Sequence, residues 1–99
     1  MRLTPAEQTA IRETVLAVAG PGSRVRLFGS RVDNHARGGD IDLLVELDHD
    51  VSQPVLFSAR IGARLQKALG DRRIDVLLAA PNLREQPIHR VARETGIEL

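Results

Sequence analysis

The stretch Asp40-Ile41-Asp42-Leu43-Leu44-Val45-Glu46-Leu47 constrains this chain more than any other part of it. Side chains alternate faces along a strand, so Ile41, Leu43, Val45 and Leu47 make one apolar face while Asp40 and Asp42 share the other. At about 3.3 Å per residue, the two carboxylates stand roughly 7 Å apart. Like charges placed side by side repel, and the pair is most stable with cations between them. Mg²⁺ suits such a place, because it takes a few carboxylates, water and a substrate's own phosphate oxygens. A bare Asp-x-Asp also occurs as two exposed aspartates at a strand start, so other residues must decide.

The surrounding pattern alternates helices with strands. Thr4-Pro5-Ala6-Glu7 has the spacing of a capping box with proline in the first turn. Ile11, Val15 and Val18 then recur at helical spacing until Gly20-Pro21-Gly22 ends the helix. Val25-Arg26-Leu27-Phe28 reads as a strand that breaks at Gly29-Ser30 into a short helix or loop running to Gly38-Gly39. Phe57, Ile61, Leu65 and Leu69 predict a helix from about Gln53 to Leu69. A strand over Ile74 to Leu78 and a helix carrying Ile88, Val91, Ala92 and Thr95 follow, and Gly96 stops the latter. Ile97 to Leu99 form either an added edge strand or a frayed tail. This order predicts one α/β domain over residues 1–99, layered around a small sheet.

Two further features join the aspartate pair. Glycine at Gly29 allows a sharp turn and lets backbone N–H groups approach a phosphate, and a helix opening at Ser30 would add its amides and hydroxyl to that cradle. Asp75 sits within the apolar run Ile74-Asp75-Val76-Leu77-Leu78, where aspartate is disfavoured. A buried charge there needs a partner or a metal. The alternative is an edge strand whose Asp75 meets water and pairs with Arg73.

Leu27-Phe28-Gly29-Ser30-Arg31, Asp40-Ile41-Asp42-Leu43 after a fixed interval, and a third carboxylate in a later strand together resemble the nucleotidyltransferase superfamily that includes DNA polymerase beta. The chain looks most like its minimal MNT-type members, the antitoxin partners of HEPN-domain toxins, and Leu83-Arg84-Glu85-Gln86-Pro87-Ile88 looks like that group's entry to its last helix. The resemblance implies a nucleotidyltransferase fold: a small mixed sheet of three or more strands packed with about four helices. It implies that Gly29 and Ser30 grip the β- and γ-phosphates of ATP, with Arg31 in reach of a phosphate or of Asp33. It implies that Asp40 and Asp42 hold two Mg²⁺ ions, and that Asp75 completes the ion nearest the acceptor. The expected reaction is transfer of AMP to a protein side chain, a tyrosine of a HEPN toxin. The rival expectation is an antitoxin that neutralises its toxin by binding alone.

Composition narrows the field. The chain has no cysteine, which removes disulfides, thiolate metal sites and a Cys nucleophile. No apolar run is long enough to span a bilayer, and Met1 to Ala10 does not read as a signal peptide, so a cytoplasmic protein is expected. Arginine makes up thirteen of the fourteen basic residues, with a late group at Arg60, Arg64, Arg72, Arg73, Arg84, Arg90 and Arg93. That group fits phosphate, an acidic protein surface or plain solvated helix faces. Only Phe28 and Phe57 are aromatic, so direct binding to nucleic acid by base stacking is not expected. His35, His49 and His89 lack metal-ligand spacing and read as surface residues, His35 being nearest the phosphate site. With no separate acceptor-binding domain in view, the late helices carrying Ile61, Leu65, Val91 and Arg90 are expected to dock a partner in a homo- or hetero-oligomer.

Overall fold

Helix α1, Pro5–Ala19, begins where the Thr4–Glu7 motif places it. Thr4 Oγ1 accepts a hydrogen bond from the Glu7 N–H at 3.1 Å, and Glu7 Oε1 accepts one from the Thr4 N–H at 2.9 Å. Both are donors that a helix start otherwise leaves unpaired. A computed structural model describes residues 3–29, 40–70 and 72–99 of the chain. The remaining elements are β1 (Arg24–Phe28), β2 (Ile41–Glu46), α2 (Pro54–Leu69), β3 (Ile74–Ala79), α3 (Pro87–Thr95) and β4 (Ile97–Glu98). The expected mixed α/β architecture is therefore present, with three helices among the described residues. The proposed short helix after Gly29 lies outside them.

The four strands form one sheet in the order β3-β2-β1-β4. Strand β1 runs antiparallel to β2 and β4, whereas β3 runs parallel to β2 and is reached through the α2 crossover. Of the two readings of the last residues, the edge strand holds: Leu27 pairs with Ile97, and the Leu99 N–H donates to the Val25 carbonyl at 3.0 Å. Helices α1 and α2 cover one face, where Leu27, Leu43 and Val45 meet Ile11, Val15, Ile61 and Leu65. The shorter α3 covers part of the other face, where Leu44 and Ala79 meet Ala92. Strand β2 is therefore apolar on both sides through its middle, and Leu44 is as fully buried as Leu43.

Two expectations need correction. Ile61 and Leu65 are 0% exposed and belong to the core, so they cannot present a docking surface. Burying each contributes about 1.5–3 kcal/mol, which exposure to a partner would forfeit. The exposed large apolar side chains lie elsewhere, at Leu16, Val55, Leu56, Ile88 and Val91. His89 is likewise no surface residue, being only 5% exposed in the first turn of α3. Its Nδ1 accepts from the Gln86 N–H at 2.9 Å, and its Nε2 donates to the Leu78 carbonyl at 2.8 Å, which assigns a neutral Nε2–H ring. The residue thus pins α3 to the end of β3.

His89→Ala strands both partners, at about 1–3 kcal/mol for each buried group left unpaired. We expect a loss of about 2–4 kcal/mol, lowering the melting temperature by at least about 8 °C in a domain of this size. Thermal unfolding followed by circular dichroism checks this, and a fall of under about 2 °C would contradict the pinning role.

Candidate active site

The sheet register builds one polar row. Phe28 of β1 pairs with Asp42 of β2, and Asp42 pairs in turn with Asp75 of β3. All three side chains lie on the face that α3 covers: Phe28 packs against the Leu44–Ala92 cluster, and Asp42 and Asp75 form the polar pair beyond it. Asp42 and Asp75 are therefore next-door neighbours across adjacent strands, which run about 4.8 Å apart.

Asp40 precedes β2 by one residue. The Ile41 N–H donates to the Arg73 carbonyl at 3.0 Å, which sets Asp40 level with Arg73. The Arg73 Nε lies 3.7 Å from Asp40 Oδ2 and 3.8 Å from Asp75 Oδ2, so one guanidinium bridges the outer two carboxylates. Sequence reasoning offered Arg73 as one of the late arginines and as a partner for Asp75, not as a partner for Asp40. The signal for its second contact was the parallel register, which a single strand does not reveal. Asp75 itself has both features weighed for it: it stands half-exposed on an edge strand beside Arg73, and it abuts Asp42.

Asp42 carries the electrostatic tension. Burial pushes its carboxyl above the usual carboxylate range, the Asp75 and Asp40 charges push it further, and Arg73 pulls it partly back. Gly29 closes the other side. It follows β1 with φ +76°, a left-handed conformation that favours glycine, and a Cβ built on it would collide with Asp42 Oδ2. The end of β1 thus turns directly over the Asp42 carboxylate. Ser30 and Arg31, the other two expected phosphate ligands, and His35 lie outside the described residues.

Three carboxylates with one guanidinium leave surplus negative charge, and their oxygen donors suit Mg²⁺. Among the described residues, no three or more His, Asp or Glu side chains are already grouped closely enough to hold a metal ion. The donor chemistry fits; closing around an ion requires side-chain rotation. No described helix is long and apolar enough to cross a membrane.

Residues 10–96 match the family described as "Nucleotidyltransferase domain". No curated protein matches the chain. The family match runs from within α1 to the end of α3 and takes in Gly29, the Asp42–Asp75 row and Arg73. With nearly the whole sequence covered, the chain belongs to the nucleotidyltransferase domain family.

Proposed function

We propose that this nucleotidyltransferase moves AMP from ATP onto a tyrosine of a HEPN-domain toxin, as an antitoxin of the minimal MNT type. The observation that supports catalysis is the single register row that sets Asp42 beside Asp75, with Asp40 at its flank and Gly29 turned over Asp42. Asp40 and Asp42 would hold two Mg²⁺, with Asp75 joining at the ion nearer the acceptor. Such ions supply charge neutralisation at the attacking and leaving oxygens of an in-line displacement. Asp75, half in water at the sheet edge, would draw the proton from an incoming hydroxyl at its Oδ. Gly29 offers its backbone without a side chain in the way, and Ser30 and Arg31 follow it as the remaining phosphate ligands. The sequence contains no tyrosine, so a tyrosine acceptor lies outside it.

A partner would find apolar surface at Val55 and Leu56 on α2 and at Ile88 and Val91 on α3, in place of the buried Ile61 and Leu65. Arg90 lies exposed between Ile88 and Val91. Neutralisation by binding alone is the second reading, and the Arg73 bridge favours it, because two of the three carboxylates already have a cation.

One experiment separates the two. Asp40→Asn/Asp42→Asn is expected to bind the toxin encoded beside it as wild type does, yet leave its mass unchanged after incubation with ATP and Mg²⁺. Cells producing the toxin should lose protection. Full protection by the double variant, with no mass gain on the toxin even from wild type, would replace catalysis with binding.

A further inference from the structure

Arg73 is 74% exposed, yet it is not loose. The residue before it, Arg72, pairs with Glu7 at the start of α1, and its carbonyl accepts from Gln66 Nε2 at 3.2 Å. These anchors fix the approach to β3 while Arg73 turns to the carboxylates. Its bridge is long on both legs, at 3.7 and 3.8 Å, and lies in water. Exposed pairs of this kind are among the weakest ion pairs a protein makes. A guanidinium never loses its charge at ordinary pH, so it cannot yield its place by deprotonating. It can only move.

We propose that Arg73 is a stand-in cation: it balances Asp40 and Asp75 while the site is empty and is displaced when a divalent ion enters. This rests on the carboxylates being metal ligands, as proposed above. A divalent ion brings twice the charge and direct coordination, and it repels the guanidinium at short range. Arg73 therefore sets the threshold for metal entry without touching substrate. Its removal has a definite sign: the empty site becomes more negative and the first ion binds more tightly. A residue that merely held the fold would weaken metal binding on removal.

Mn²⁺ alone, without nucleotide, provides the test, with the free ion followed by electron paramagnetic resonance at low salt. R73Q is expected to bind Mn²⁺ about tenfold more tightly than wild type, a change of roughly one unit charge seen by a divalent ion a few ångströms away. R73K, which keeps the charge, should stay within about twofold of wild type. D42N should bind weakly, both alone and in combination with R73Q. In wild type, the ¹⁵N signal of Arg73 Nε should shift as Mg²⁺ saturates the site, a readout that needs no variant. If D42N loses binding while R73Q matches or falls below wild type, the stand-in role is overturned and the metal site survives. If wild type and every variant fail to bind Mn²⁺ saturably, the metal site falls and takes this role with it.

Discussion

Asp42→Asn is expected to abolish nucleotidyl transfer while making the ligand-free protein more stable. Cation-borne charge stabilisation is worth several kcal/mol in such reactions, and each 1.4 kcal/mol is about tenfold, so the rate should fall by about 10³-fold or more. The gain in stability comes from the same carboxylate. Burial and two like-charged neighbours raise its proton affinity in the fold, so its ionised form opposes folding near neutral pH. The sign follows: stability from this group is fully present below its unfolded value and is lost as pH rises through its raised folded value. Asparagine removes that burden at neutral pH. Allowing for solvent screening of a half-buried group, we expect a gain of about 1 kcal/mol, or about 4–8 °C in melting temperature. Millimolar Mg²⁺ and ATP should then raise the melting temperature of wild type and leave the variant unmoved. A variant less stable than wild type, or one that still transfers, would contradict the assignment.

Gly29→Ala should damage both stability and chemistry. A non-glycine residue at φ +76° costs about 1–3 kcal/mol, and the new Cβ must also push the Asp42 carboxylate aside. Misplacing a reactive group by about 1 Å can cost about 10²-fold in rate. We therefore expect a fall of at least about 5 °C in melting temperature and about a 10²-fold drop in transfer. Gly20→Ala is the control. Gly20 has φ +94° at the end of α1, with nothing within 4 Å of an added Cβ, so its alanine variant should lose stability and keep its rate. Equal loss of activity in both variants would reduce the Gly29 effect to backbone strain.

What could be read in advance was what local chemistry decides. The Thr4–Glu7 cap lies within one turn, and the apolar face of Ile41, Leu43, Val45 and Leu47 follows from alternation alone. Ile61 and Leu65 fell on the right helical face, but spacing cannot say whether such a face meets the sheet or a partner. Leu44 was harder, because its burial depends on α3 packing across the sheet's second side. His89 occupies the position where a capping box usually has Glu, and its burial depends on where β3 ends. Within the site, Asp40, Asp42 and Asp75 were legible as residues. Their neighbourhood was not, because Asp42 and Asp75 meet through a register set by two strands and a crossover.

That crossover ties the site to the folding route. Asp42 and Asp75 stand on opposite sides of α2 in the sequence, and parallel strands cannot pair through a tight turn. Closing so long a segment is a non-local step, paid in chain entropy before any contact rewards it. Before closure, Asp42 and Asp75 are solvated acids far from one another, and Asp42 has only Asp40 near it in the sequence. Their mutual repulsion enters only as β3 docks on β2, so the last approach of the two strands is uphill in charge, and Arg73 arrives immediately ahead of the strand that brings the conflict. A chain with its crossover open has all the carboxylates and none of the site.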